Sequence, residues 1–172
     1  MTNKEASYKQ EHMVADFMGW CVVTGSGSRP FTPGDISSDH FLVECKTHTK
    51  EQDNICFKLS HWNKICEESR AKNKLPLLVT DNGTQKYNHT WVMTPLKFVQ
   101  NCTAVNLIDG WNNTSRSGNT IIFDDFNTKQ LYVLKSVADQ TSVMISRWNS
   151  AGDYLAIMPL SEFKTYYERQ FQ

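Results

Sequence analysis

The stretch Pro33-Gly34-Asp35, followed by Phe41-Leu42-Val43-Glu44-Cys45-Lys46-Thr47, decides the fold that we expect for this chain. The Pro-Gly pair favours a turn, and Asp35 begins a short apolar segment that predicts a strand. Ser38-Asp39 predicts a second turn, after which residues 41–47 form another strand. The sequence therefore predicts a hairpin that begins just after the Pro-Gly turn.

The alternation of side chains along the second strand brings charged groups together. Glu44 and Lys46 share one face of this strand, and Cys45 takes the other. Leu42 lies on the face of Glu44 and Lys46, so that face is expected to be partly buried, where charges need partners or a metal. With Asp35 on the other arm, two carboxylates and one amine converge. The alternative is an ordinary solvated Glu-x-Lys pair on an exposed strand face.

Helices and strands are expected on both sides of this hairpin. Apolar residues at helical spacing predict a helix over residues 3–18, and residues 20–24 predict a strand. A second helix is expected at 59–74, followed by an apolar strand at 75–80. Because a helix joins strands that lie side by side, this order predicts a crossover onto a mixed sheet.

The second half of the chain has a weaker pattern. Residues 106–119 are rich in Asn, Ser and Gly and predict a long loop. Strands are expected at 90–93, 120–124, 130–135 and 142–148, and a C-terminal helix at 161–171. We expect residues 101–172 to form an extension packed on, or completing, a core of residues 1–100, within a single structural domain.

Composition excludes several classes of protein. The chain has 172 residues and a formal net charge of zero, whereas a nonspecific nucleic-acid coat protein is strongly basic. It has no apolar run long enough for a membrane span, and its polar N-terminus does not resemble a secretory signal. We therefore expect no membrane partner and a cytoplasmic location.

The cysteines do not suggest a disulfide framework. The chain contains five of them, an odd number, with no Cys-x-x-Cys pair, which fits a reducing compartment. A zinc site would have to be assembled from spacings that match no common finger, using Cys45, His48, Cys56, His61 and Cys66. We do not favour that interpretation.

The predicted hairpin suits a hard divalent cation. Mg²⁺ prefers oxygen ligands and keeps several waters, so Asp35, Glu44 and the backbone carbonyl of Cys45 are sufficient protein ligands. Such an ion lowers the pKa of its bound water and neutralises charge that builds on a phosphate. Lys46 is expected to orient the attacking water and to stabilise that charge.

Further residues are candidates for the same site. Glu11 lies on the stripe that borders the buried face of the first helix, from which its carboxylate can reach the metal. Ser26 and Arg29, in the loop before Asp35, are expected to contact phosphate. Basic residues outnumber acidic ones between residues 46 and 74, and Lys50 and Lys58 are taken from this stripe as DNA contacts. An ordinary solvated helix is the alternative explanation of the stripe.

The motifs Pro33-Gly34-Asp35 and Glu44-Cys45-Lys46 resemble the core motif of the PD-(D/E)xK nuclease superfamily. Glu11 together with Gly25-Ser26-Gly27 is similar to Holliday junction resolvases. Two further segments resemble small phage-encoded resolvase-like endonucleases, namely Trp62-Asn63-Lys64-Ile65 and Lys74-Leu75-Pro76-Leu77-Leu78-Val79. The resemblance covers roughly residues 5 to 100.

The resemblance implies a restriction-endonuclease-like α/β fold with an αβββαβ core and a mixed sheet flanked by helices. It also implies Mg²⁺-dependent hydrolysis of DNA phosphodiester bonds, with Mn²⁺ as a substitute, and a homodimer. Asp35 and Glu44 would be metal ligands, Lys46 the catalytic lysine and Glu11 the accessory acid. A phage-encoded enzyme of this kind would act in the host cytoplasm. The neutral charge departs from what a junction-binding protein leads one to expect.

Two other functions stay open at this point. A nuclease acting on linear, mismatched or foreign DNA needs the same hairpin. A catalytically silent module of the same fold would bind nucleic acid or serve assembly, but it has no chemical need for Asp35, Glu44 and Lys46 together.

Overall fold

The computed structural model describes residues 1–25, 33–99 and 154–171, together with the backbone of four strands between them. Three α-helices are present in this part of the chain: α1 (Asn3–Met18), α2 (Leu59–Ala71) and α3 (Leu160–Phe171). The strands are β1 (Cys21–Val22), β2 (Ile36–Ser37), β3 (Phe41–Lys46), β4 (Asn54–Lys58), β5 (Leu75–Asp81), β6 (Thr90–Pro95), β7 (Val105–Ile108), β8 (Ile121–Phe123), β9 (Gln130–Leu134), β10 (Val143–Arg147) and β11 (Tyr154–Pro159). Short 3₁₀ helices cover Tyr87–His89 and Leu96–Phe98.

Eight strands form a mixed sheet in the order β1-β2-β3-β5-β6-β11-β10-β7. The β2–β3 hairpin is antiparallel, as predicted, and β3 runs parallel to β5 after the crossover through α2. Strand β11 pairs with β6, so the end of the chain contributes to the same sheet as the hairpin. The fold is therefore α/β, with a mixed sheet flanked by helices, as the sequence predicted.

The two faces of the sheet carry separate apolar clusters. Helices α1 and α3 cover one face, where Val14, Phe41 and Phe163 belong to a shared core. Helix α2 and strand β4 cover the opposite face, where Trp62 and Phe57 are buried. Because successive residues of β3 point to opposite faces, this strand contributes to both clusters.

Helix α1 has well-defined ends. At its start the Thr2 hydroxyl accepts from the Glu5 N–H, and the Glu5 carboxylate accepts from the Thr2 N–H, which is a capping box. At its end Gly19 adopts a left-handed conformation, and its N–H donates to carbonyls of the last turn. The predicted helix boundaries of residues 3–18 are therefore confirmed. The cap at Gly19 defines where the helix ends and the chain continues toward the hairpin.

Two strands differ from the prediction. Strand β4 was not predicted. The expected order was a helix, three strands, a helix and a strand, and β4 is an additional strand between β3 and α2. It pairs with β9 in a separate sheet ordered β4-β9-β8, so it does not interrupt the main sheet. The predicted loop at 106–119 is wrong at its start, because β7 includes residues 106–108 and pairs with β10; residues 109–119 lie outside the described part.

Among the helices of the described ranges, none is both long and apolar enough to span a bilayer.

Candidate active site

Backbone hydrogen bonds hold Asp35 between two strands. Its N–H donates to the Val43 carbonyl at 2.7 Å, and its own carbonyl accepts from Val23 N–H at 2.9 Å. Its carboxylate Oδ2 accepts a hydrogen bond from the N–H of Cys45 at 2.8 Å. The Asp35 carboxylate is therefore fixed beside the Glu44-Cys45-Lys46 segment.

The turn before Asp35 requires glycine. Gly34 has a φ of 68°, and a Cβ at this position would lie 2.8 Å from side-chain carbons of Leu42. A side chain here would be strained by its backbone conformation and would push against β3. The Gly34 N–H donates to Glu68 Oε2 at 2.9 Å, so helix α2 also holds this turn.

Glu44 is almost completely buried, with 2% of its side chain exposed, and two lysines neutralise it. Lys46 Nζ lies 2.6 Å from Glu44 Oε1, which confirms that the two residues share a face of β3. Lys64 on α2 donates from Nζ to both carboxylate oxygens at 2.9 Å. Burial by itself would raise the pKa of Glu44, but the charges and hydrogen bonds of the two lysines outweigh it and lower that pKa.

The carboxylates around Glu44 show the opposite effect. Burial, followed by the charge of Glu44, raises the pKa of Asp35. Burial, followed by the charge of Asp35, raises the pKa of Glu11 from 4.5 to about 7. A carboxyl group that titrates near neutrality beside other carboxylates is typical of functional sites, although structural networks produce it as well.

Helix α1 brings Glu11 to the end of strand β3. The adjacent residue, Gln10, is fully buried and donates from Nε2 to the Lys46 carbonyl at 2.8 Å. Glu11 itself is half-buried and feels the charges of Asp35, Lys46 and Glu44. The fold therefore brings together the four residues that were predicted as catalytic. Their catalytic roles stay predictions.

Cys45 faces away from this cluster. Its side chain is buried in the core beneath α1, and burial raises the pKa of its thiol well above the ordinary value. A neutral thiol on the opposite face of the strand is not available to the site, so only the backbone of Cys45 can take part. Its N–H already binds Asp35.

The donor set fits a hard divalent cation only in part. In the described part of the chain, no three His, Cys, Asp or Glu side chains are grouped closely enough to hold a metal ion. Asp35 and Glu44 nevertheless supply carboxylate oxygens beside a backbone carbonyl, a set that Mg²⁺ accepts when waters complete its shell. Burial, followed by the charge of a neighbouring carboxylate, raises the pKa values of Asp35 and Glu11, and a bound cation would oppose both effects by stabilising the ionised form.

Helix α2 contributes residues that the sequence analysis did not assign to the site. Lys64 contacts Glu44, and Glu68, one turn further on, contacts Gly34. His61 is half-buried nearby, and burial followed by the charge of Lys46 lowers its pKa to about 4. The spacing of His61, Lys64 and Glu68 along one side of a helix was visible in the sequence, but the position of that side over β3 was not.

The loop after Lys46 is held by the turn that follows β5. The Thr47 hydroxyl and the Gly83 N–H both donate to Asp81 Oδ1. Gln85 Nε2 donates to Thr47 Oγ1 at 3.0 Å and to the His48 carbonyl at 3.1 Å. Asp81 is buried, and burial raises its pKa despite these hydrogen bonds. Side-chain hydrogen bonds with Asp81 and Gln85 thus hold the chain on the C-terminal side of Lys46.

Two of the four residues predicted to contact DNA, Lys50 and Lys58, lie in the described part of the chain. Lys50 and Lys58 are exposed, Lys50 in the loop after β3 and Lys58 at the N-cap of α2. Both are accessible to a large ligand. Within the described residues, neither forms a hydrogen bond or an ion pair with the carboxylates of Glu11, Asp35 and Glu44. Ser26 and Arg29 lie outside the described residues.

Comparison of the chain with protein-family models, curated proteins and solved structures found no match. The interpretation of the cluster therefore depends on its own geometry and chemistry.

Proposed function

We propose that this chain is a metal-dependent endonuclease that hydrolyses DNA phosphodiester bonds, with four-way junctions or other branched DNA as its substrate. The observation that carries the proposal is the convergence of Asp35, Glu44 and Lys46 at the β2–β3 hairpin, with Lys46 Nζ 2.6 Å from Glu44 Oε1. This combination supplies oxygen ligands for a hard cation next to a cation that can bind phosphate.

Each residue has a distinct role in the proposed reaction. Mg²⁺ bound by Asp35, Glu44 and the Cys45 carbonyl, or Mn²⁺ in its place, would acidify a bound water and offset the charge on the phosphate. The Cys45 N–H keeps the Asp35 carboxylate in position. The Lys46 ammonium donates to the phosphate oxygens as negative charge grows on them.

Glu11 is suited to accept the proton from the attacking water. Its pKa is about 7 in the metal-free chain and a bound cation would lower it, so the carboxylate is ionised at neutral pH and able to take up a proton. It is placed beside Asp35 on a different element, helix α1, so it can serve without leaving the metal short of a ligand. The proposal assigns Glu11 to proton transfer and support of the metal site.

The proposal extends to the fold and the assembly. Helix α1, strands β1, β2 and β3, the crossover through α2 and strand β5 are compatible with a restriction-endonuclease-like core, to which β4 is an addition. We propose that fold, and a homodimer that would place two such sites on the two strands of a junction. Light scattering coupled to size exclusion tests the dimer independently of activity.

Cleavage of matched DNA substrates tests the function. The purified chain is expected to cut a four-way junction in Mg²⁺ or Mn²⁺, and not in EDTA. Glu44→Ala and Lys46→Ala should each lower the rate by about 10²-fold or more, whereas Lys72→Ala, an exposed control just beyond α2, should not.

Several results would contradict the proposal. Absence of cleavage of both branched and linear DNA with either metal would overturn the nuclease function. Equal rates on a junction and on a linear duplex would overturn the branched-DNA preference alone. Cleavage that survives in Glu44→Ala or Lys46→Ala would overturn the site assignment.

Two observations favour a second candidate, a nucleic-acid-binding module without catalysis. The described residues contain no group of three metal-ligating side chains, and two lysines already neutralise Glu44. Such a module would bind junction DNA in the presence and absence of divalent metal, with equal affinity, and would cut none of it.

A further inference from the structure

Lys64 contacts the two carboxylate oxygens of Glu44, the proposed metal ligand. Its Nζ is 2.9 Å from Oε1 and 2.9 Å from Oε2, so it lies between the two oxygens. A divalent ion held by Glu44 would use the same carboxylate oxygens. The ion and the Lys64 ammonium would compete for these oxygens, because Lys46 already contacts Oε1 and a third positive charge on the same carboxylate would be repelled by the other two.

Lys46 and Lys64 differ in how they bind this carboxylate. Lys46 contacts a single oxygen, Oε1, and stands on the same strand as Glu44. Lys64 stands on α2, and 52% of its side chain is exposed. The Lys64 side chain can therefore turn its ammonium group toward solvent without entering the core.

Helix α2 remains attached to the hairpin when Lys64 turns away. Glu68 Oε2 accepts from the Gly34 N–H at 2.9 Å, independently of Lys64. Lys64 Nζ is also 3.7 Å from Glu68 Oε1, which is a longer and weaker second contact. The contact between Glu68 and Gly34 thus holds α2 to the hairpin, whereas the contact between Lys64 and Glu44 can be exchanged.

We propose that Lys64 is a phosphate-binding residue that neutralises Glu44 in the metal-free protein and transfers to a DNA phosphate when a divalent cation takes the Glu44 oxygens. This inference rests on the proposed function. Before the metal binds, Lys64 is the partner of Glu44 Oε2, an oxygen that Lys46 does not contact, and a buried carboxylate oxygen without a partner is costly. It also places an extra cation on the substrate only in the metal-loaded state.

Metal binding without DNA tests the first half of the exchange. Lys64→Met retains most of the aliphatic stem but not the charge, so Mn²⁺ measured by calorimetry should bind about tenfold more tightly than to the unmodified chain. Lys64→Arg keeps a cation on Glu44 and should show no such gain. Lys72→Met is the matched control, because it removes an exposed lysine close to the same helix without touching Glu44.

The salt dependence of DNA binding tests the second half. A Lys46→Ala background suppresses cleavage, so junction affinity can be followed by fluorescence anisotropy in saturating Mn²⁺. Adding Lys64→Met should weaken binding and reduce the slope of log K against log salt by about 0.9, the loss of one phosphate contact. Adding Lys72→Met should leave the slope unchanged. A purely structural role for Lys64 would not change this slope.

The outcomes separate this inference from the proposed function. A chain that binds no Mn²⁺ and cuts no DNA overturns the nuclease proposal. A chain that binds Mn²⁺ and cuts junctions, while Lys64→Met leaves the metal affinity or the salt slope unchanged, overturns only the role of Lys64. Circular dichroism of each variant verifies that it is folded before either comparison.

Discussion

The buried carboxamide of Gln10 donates a hydrogen bond from Nε2 to the backbone carbonyl of Lys46 at 2.8 Å. This bond joins helix α1 to the end of strand β3, at the residue next to Glu11. It therefore fixes Glu11 and Lys46, two of the residues predicted as catalytic, relative to each other. The other atom of the same amide, Oε1, is buried and has no hydrogen-bond partner among the described residues.

Replacing Gln10 should affect both stability and activity. Gln10→Leu leaves the Lys46 carbonyl without its donor, and we expect the free energy of unfolding in urea to fall by about 1–3 kcal/mol. Cleavage should slow in parallel, because Glu11 and Lys46 lose their common support. Lys9→Leu, at an exposed position of α1, should change stability by no more than about 0.5 kcal/mol. Equal effects of the two substitutions would contradict the role given to the hydrogen bond.

The two carboxylates of the hairpin should respond in opposite directions to loss of charge. Asp35→Asn removes a buried charge and its repulsion by Glu44, and the asparagine side chain can still accept from the Cys45 N–H. The melting temperature of this variant in EDTA should therefore exceed that of the unmodified chain. Glu44→Gln removes the negative charge that Lys46 and Lys64 contact. This variant should therefore melt at a lower temperature than the unmodified chain. Both variants should lose cleavage. Destabilisation by Asp35→Asn would show that the cost of burying this charge beside Glu44 is not the dominant effect.

Glu11 should make the fold less stable as the pH rises toward neutrality. Because its pKa is about 7 in the folded chain and near 4.5 when unfolded, the folded state holds more protons between those values. The free energy of unfolding contributed by Glu11 is therefore greatest below pH 4.5 and falls until about pH 7.

The measurement compares urea unfolding of the unmodified chain and of Glu11→Gln at several pH values across this range. His61, with its pKa lowered to about 4, contributes the opposite slope over an overlapping range, so only the difference between the two chains isolates Glu11. That difference should favour Glu11→Gln increasingly as the pH rises. Glu67→Gln, the same substitution at an exposed position of α2, is the matched control.

Two glycines with similar backbone conformations should differ in their tolerance of alanine. Gly83 has a φ of 94°, and a Cβ there would lie 2.2 Å from the Lys50 carbonyl oxygen. Gly19 has a φ of 71°, and a Cβ added to it would meet no atom within 4 Å. Gly19→Ala should cost about 1–2 kcal/mol, from its left-handed backbone alone.

Gly83→Ala should cost roughly 3 kcal/mol, because the backbone of the loop after Lys46 must also move. Thermal or urea unfolding of the two variants measures the difference. Cleavage should fall with Gly83→Ala and stay unchanged with Gly19→Ala, once both are assayed below their unfolding transitions. Equal stability losses would mean that the loop adjusts freely to the added methyl group.

Local sequence pattern was sufficient for most elements near the hairpin. The Thr2 cap and Gly19 delimit α1 at both ends, and the alternation of residues 41–47 was enough to assign the faces of β3. The end of α2 was predicted three residues late, at 74 instead of Ala71. Asn73 adopts a left-handed conformation there, with a φ of 53°, and this ends the helix before the basic residue Lys74.

Strand β4 shows where local pattern was insufficient. Ile55 and Phe57 alternate with less buried residues, which is a strand signal, but the segment is short and leads directly into α2 with no Gly or Pro between them. Its partner, β9, is more than 70 residues away in the sequence. A pairing at this separation depends on the whole chain, and no short window reveals it.

The sequence by itself determined the hairpin, the two faces of β3 and the convergence of Asp35, Glu44 and Lys46, because strand alternation and turn chemistry act over a few residues. Only the tertiary structure decided that Gln10 supports Lys46 and that Lys64 and Glu68 reach the hairpin from α2. Those contacts depend on how the helices pack across opposite faces of the sheet. Packing is set by the apolar clusters on both faces together, and the residues that form them are spread from α1 to α3.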